Sequence, residues 1–192
     1  MAEAKKEKGR KPSRPVTAAA IENAALHYLG RFASSSANLR RILLRKVARG
    51  AADGETVVGA RLVDELIARY QKSGLLDDRA YATQTAGSLA RRGASRFAIG
   101  GKLARKGVPA ELVKEAIKEL GEGGASEIAA ACALVRRRRL GPYRSEEKRA
   151  GARQKDVAAL ARAGFSLDIA RRVLAVRDIA DLEILARDPE AS

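Results

Sequence analysis

Leu103-Ala104-Arg105-Lys106-Gly107-Val108-Pro109-Ala110-Glu111-Leu112 returns 57 residues later as Leu160-Ala161-Arg162-Ala163-Gly164-Phe165-Ser166-Leu167-Asp168-Ile169. Each copy reads as a helix end, a glycine stop and the start of another helix. Helices commonly end on a residue in the left-handed region, which glycine adopts without a Cβ clash. Pro109 and Ser166 suit the first positions of the following helix. A related stretch, Leu43-Leu44-Arg45-Lys46, leads into a longer loop through Gly50 and Gly54. Three copies of one helix–turn–helix junction predict a helical array.

Working outward from these junctions, the periodicity predicts nine helices in three groups. The first group covers 17–33, 36–48 and 56–72, the second 78–92, 95–106 and 109–120, the third 126–139, 146–163 and 167–177. Val63, Leu66, Ile67 and Tyr70 form one apolar stripe at helical spacing. Gly74 stops a helix and Asp77 caps the next; Ser126 and Ser145 read as further caps. The fold class expected is all-α: three tandem three-helix repeats (17–73, 74–121, 122–178) in an elongated body able to curve. Gly121-Glu122-Gly123-Gly124 reads as a flexible joint between the second and third repeats. Residues 1–16, rich in charge and poor in apolar surface, are expected to be a disordered basic arm that folding does not need. Residues 179–192 are expected to be a C-terminal tail, at most prolonging the last helix.

Composition agrees. Apolar residues make up 46% of the 192, aromatics only 4%. Much of the apolar share is alanine, which loses no side-chain entropy in a helix and lets helices approach closely. A single cysteine, Cys132, excludes an internal disulfide, fits a reducing cytoplasm and reads as a buried structural thiol. The N-terminus lacks a signal-peptide pattern, and the longest apolar run, Ile128 to Val135, is far too short to span a bilayer.

Enzymatic chemistry finds little footing. One histidine, His27, and one cysteine cannot make a zinc site, so no metal or other cofactor is expected, and His27 reads as structural. Gly101-Lys102 lacks the spacing of a phosphate-binding loop. Asp77 and Asp78 are adjacent, point apart on a helix start and read as capping residues rather than an acid/base pair. No catalytic residue is assigned.

The basic residues carry the chemistry that is present. Lys and Arg total 38 against 23 Asp and Glu, a formal charge of +15 that calls for an anionic partner. The candidate partner-binding residues are Arg40, Arg41, Arg45 and Lys46; Arg91, Arg92 and Arg96; Arg105 and Lys106; and the run Arg136-Arg137-Arg138-Arg139. In that run, Arg136 and Arg139 stand three residues apart and are expected to share a helix face. The aromatics are few and mostly at core-like positions, so base stacking is not expected and any DNA contact should be backbone electrostatics.

Three segments also resemble one protein family. Tyr28-Leu29-Gly30-Arg31-Phe32-Ala33-Ser34 with Leu39 to Lys46, Gly74-Leu75-Leu76-Asp77-Asp78-Arg79-Ala80-Tyr81-Ala82, and Arg91-Arg92-Gly93 through Leu103-Ala104-Arg105-Lys106-Gly107-Val108 are similar, in order, to the RecX family. Asn38 stands where that family usually has an acidic residue. The resemblance implies tandem three-helix repeats and a regulator of RecA; the chain itself is expected to be a cytoplasmic monomer without enzymatic activity. Its implied partner is the RecA recombinase filament, whose ATPase, strand-exchange and co-protease activities such proteins restrain by lying in its groove. The charge and the helix–turn–helix junctions admit a rival, a sequence-nonspecific DNA-binding protein.

Overall fold

The computed structural model describes residues 16–50, 55–122 and 127–188. The basic arm over 1–15, the loop through Gly54, the joint residues Gly123 and Gly124, the Ser126 cap and the end of the tail from Pro189 lie outside the described residues. Among the described residues there are ten α-helices and no strand. The chain divides into two compact units at Leu76/Asp77.

The first unit holds α1 (Ala18–Leu29), α2 (Ser36–Gly50) and α3 (Glu55–Lys72). Val63, Leu66, Ile67 and Tyr70 of α3 are buried with Leu39, Leu43 and Val47 of α2, as the stripe predicts. Val16 packs against this core, so the last residue assigned to the basic arm belongs to the fold. α1 stops at Leu29 rather than residue 33, because the chain turns at Gly30 into a buried polar corner. There the Ser35 hydroxyl accepts the Asn38 N–H at 3.2 Å and caps α2. The Asn38 amide donates to Ser34 Oγ (2.8 Å) and Tyr28 OH (3.3 Å), while its oxygen accepts from Arg41 at 2.7 Å. An ionised carboxylate could not make the two donations.

The second unit runs α4 (Asp78–Arg91), α5 (Arg96–Arg105), α6 (Ala110–Glu122), α7 (Glu127–Arg138), a short 3-10 turn over Gly141–Tyr143, α8 (Glu146–Arg162), α9 (Leu167–Ala175) and α10 (Ile179–Arg187). Asp77 caps α4, accepting the Ala80 N–H at 2.9 Å. Ser145 takes the N-cap position of α8 but makes no capping hydrogen bond. Ala82, Ala86 and Ala90 line the inner face of α4, and small side chains at fourfold spacing let α6 and α5 lie close. A second core, with Leu134, Val135, Leu160, Val173 and Leu174 at its centre, joins α7, α8 and α9.

Gly107 and Gly164 end their junctions as the repeat predicts, and Gly93, which the repeat did not include, ends a third in the same way. Gly93, Gly107 and Gly164 have φ of 81, 75 and 91°. Behind each, the carbonyl of Leu89, Leu103 or Leu160 accepts the N–H of Ala94, Val108 or Phe165 at 3.0, 3.2 and 3.2 Å. This double-bonded turn satisfies carbonyls that the helix leaves without partners. α7 ends in the same turn, with Leu140 N–H bonded to the Val135 carbonyl at 3.0 Å, yet its left-handed residue is Arg139 at φ 54°.

The expected tail is corrected. α9 stops at Ala175 because Val176 is extended (φ −59°, ψ 144°), so the last helix is not prolonged. Asp178 then starts α10 by accepting the Asp181 N–H at 2.9 Å. α10 packs on α7 and buries Leu182 and Leu185 in the second core. Those two leucines and Ile179 give the helix an apolar face that its acidic composition obscured.

Leu182 shares a narrow cleft with Cys132, which is buried as expected. Burial pushes the Cys132 thiol up to about 11, and only the thiolate is a good nucleophile. The full chain should therefore resist a disulfide-exchange reagent, while a chain ending before Ile179 should label rapidly at Cys132. Equal labelling rates for the two would mean that α10 does not cover the thiol.

Candidate functional site

The structure sorts the candidate basic residues by what already holds them. In the first unit Arg40 is committed to a bidentate pair with Asp64, Nε–Oδ1 2.6 Å and Nη2–Oδ2 3.0 Å. The Arg40 hydrogen bonds hold the Asp64 carboxyl below its usual range. Arg41 serves the polar corner through Asn38. Arg45 and Lys46 are exposed and have no carboxylate partner among the described residues.

In the second unit Arg96 is also occupied. Its Nε lies 3.2 Å from Glu127 Oε2, and its backbone N–H donates to the same carboxylate at 3.1 Å. Burial raises the Glu127 carboxyl, and the Arg96 N–H and guanidinium pull it the other way. Arg105 is exposed and Lys106 half-buried at the end of α5.

Arg137 brings two of the expected clusters together. Its Nη1 donates to the Arg92 carbonyl at 2.7 Å, so the Arg91–Arg92 turn lies against the end of α7. Arg91, Arg92, Arg138 and Arg139 are exposed there and form no ion pair among the described residues. Arg136, also exposed, shares its cleft with Glu183. The expectation that Arg136 and Arg139 share a helix face is corrected: α7 ends at Arg138, and the left-handed turn takes Arg139 off the helix. The bond brings two arginine runs 45 residues apart in sequence to the same helix end, where exposed guanidinium groups could neutralise phosphates or carboxylates.

Two further contacts fix the setting of this patch, and neither was visible as a motif. Ser95, fully buried, caps α5 by accepting the Ala98 N–H (3.1 Å) and donates its hydroxyl to the Ala163 carbonyl at 2.7 Å. It thereby ties the α4–α5 turn to the α8–α9 turn. Asp156, 2% exposed, accepts two hydrogen bonds from Arg144 (2.8 and 2.7 Å) and one from the Gly141 N–H (2.9 Å). Burial alone would raise its carboxyl, but Arg144 and the Gly141 N–H outweigh that and hold it below the usual range. The bundles either side of the expected flexible joint are thus bonded to each other directly.

Other expectations fared differently. His27 is exposed in the last turn of α1 and takes no part in a core. Phe32 and Phe97 are 52% and 80% exposed, not core residues, while Tyr70 and Phe165 are buried. Among the described residues no group of three or more His, Cys, Asp or Glu is placed to hold a metal ion. No helix among them is long and apolar enough to cross a membrane.

Known proteins provide an independent comparison. A family model described as "RecX, second three-helix domain" matches residues 77–117, which are α4, α5 and most of α6. The chain is 44% identical over 173 residues to the protein named Regulatory protein RecX of Myxococcus xanthus, covering 88% of this chain and 92% of that one. It is 30% identical over 167 residues to the Regulatory protein RecX of Agrobacterium fabrum, covering 87% and 88%. No solved structure matches. Similarity at this level across most of both proteins, together with the all-helical architecture of the described residues, places the chain in the RecX family of regulatory proteins.

Proposed function

We propose that this protein acts in the cytoplasm as a monomer, binds the RecA recombinase filament and restrains its ATPase, strand-exchange and co-protease activities without catalysis of its own. The observation that carries the reading is the similarity, over 88% and 87% of the chain, to two proteins named Regulatory protein RecX. The arginines left without carboxylates at the α4–α5 turn and the end of α7 support it, since a filament of protein on DNA presents both carboxylates and phosphates. The rival reading, a DNA-binding protein that needs no recombinase, draws on the charge of +15.

Co-sedimentation with RecA filaments, run beside naked DNA, tests the proposal. The protein should pellet with filaments at physiological salt and lower their ATPase, while naked DNA alone retains it weakly. Reversing four charges, Arg91→Glu and Arg92→Glu with Arg138→Glu and Arg139→Glu, should weaken filament binding roughly tenfold or more, because attraction becomes repulsion at a partly desolvated contact. Circular dichroism should show the helices intact. Equal, steeply salt-dependent binding to naked DNA with no effect on the ATPase would favour the rival.

A further inference from the structure

Four helix ends in the second unit close with the same left-handed turn, and three of them use glycine. The fourth places Arg139 at φ 54°, where the Cβ of an L residue crowds the following carbonyl. Nothing in the turn itself asks for arginine. Leu140 supplies both the buried apolar side chain and the N–H that bonds Val135, so glycine would close the turn with less strain. The Arg139 side chain is exposed and makes no hydrogen bond or ion pair among the described residues. Strain kept where it does not serve the fold points to a function for the side chain.

Its surroundings name the ligand. Arg138 precedes it, and the Arg137 bond to the Arg92 carbonyl holds the Arg91–Arg92 turn against the same helix end. We propose that Arg139, with Arg138, Arg91 and Arg92, grips the phosphodiester backbone of a nucleic acid. Charge complementarity favours this occupant. Guanidinium forks match phosphate oxygens bidentately, and duplex DNA offers a charge about every 1.7 Å along its axis. Adjacent phosphates can thus meet adjacent guanidinium groups without reading sequence. The inference deepens the recombinase reading, in which the filament supplies the DNA, but binding itself is read on naked duplex.

The test is Arg139→Gly in the full chain. Relief of the left-handed strain should raise Tm by about 2 °C, while affinity for a fluorescein-labelled duplex falls roughly threefold and the slope of log K against log salt loses about one phosphate contact. Arg139→Lys, which keeps the charge and the strain, should leave Tm and the slope near those of the parent. A higher Tm with unchanged duplex binding overturns the proposal. If Arg139→Gly spares duplex binding but weakens attachment to RecA filaments, the patch meets protein carboxylates and the proposal fails while the recombinase reading survives. If the parent binds duplex as described but ignores filaments, the recombinase reading fails and this site stands.

Discussion

Replacing Arg144 by alanine should destabilise the second unit by about 3 kcal/mol, the cost of leaving a buried carboxylate without its cation. Asp156 would keep only the Gly141 N–H of its three hydrogen bonds. Arg144 is itself one-third exposed, so the loss falls on the carboxylate side, at the lower end of what breaking a buried pair costs. In a chain of this size each kcal/mol lowers Tm by about 2–4 °C, which thermal denaturation resolves easily. The pH dependence carries the same signature. Because the Asp156 carboxyl is held below its usual range in the folded chain, its contribution is fully present above the unfolded value of about 3.9 and disappears as pH falls through the folded one. In Arg144→Ala the carboxyl loses that restraint, so acid unfolding should begin at higher pH than in the parent. Matching acid midpoints would mean that the pair contributes nothing to folding.

Gly93→Ala should cost as much or more. Gly93 sits at φ 81°, and a Cβ there would stand 2.6 Å from the Leu134 backbone nitrogen and 3.0 Å from the Ala130 carbonyl oxygen. Backbone inside α7 cannot move aside as a side-chain tip can. Left-handed strain of about 1–2 kcal/mol and overpacking of about 1–3 kcal/mol together give a loss of about 3 kcal/mol. Gly74→Ala is the control: its φ is 76°, but nothing lies within 4 Å of the added Cβ, so only the strain of about 1 kcal/mol applies. Urea unfolding measures both, and hydrogen exchange should show α4 and α7 loosening together in Gly93→Ala alone. If the two variants lose equal stability, contact between the α4–α5 turn and α7 is not what requires glycine.

These residues show how far local pattern reaches. The glycine stops at 74, 107 and 164, the Asp77 and Ser166 caps and the α3 stripe all rest on interactions within a few residues, so spacing and residue type suffice to read them. α10 escaped because its buried face, Leu182 and Leu185, is short and set among acidic residues. The helical continuation through Arg139 failed for a related reason. Arginine is a good helix former, and nothing in a run of four arginines marks which of them turns left-handed.

The site divides the same way. Which residues are basic, and that they gather at helix ends, was plain from the chain order. Which of them remain available to a partner was not, because that depends on carboxylates brought in from elsewhere: Asp64 to Arg40 across 24 residues and Glu127 to Arg96 across 31. Nor could spacing reveal that Arg137 would spend its guanidinium on the Arg92 carbonyl and so join two clusters into one patch. Helix and turn are written in short-range sterics and hydrogen bonding, which a sequence displays residue by residue. The pairing of charges, the docking of Ser95 on Ala163 and the close approach of Gly93 to α7 arise only when packing apolar faces brings distant backbone into contact.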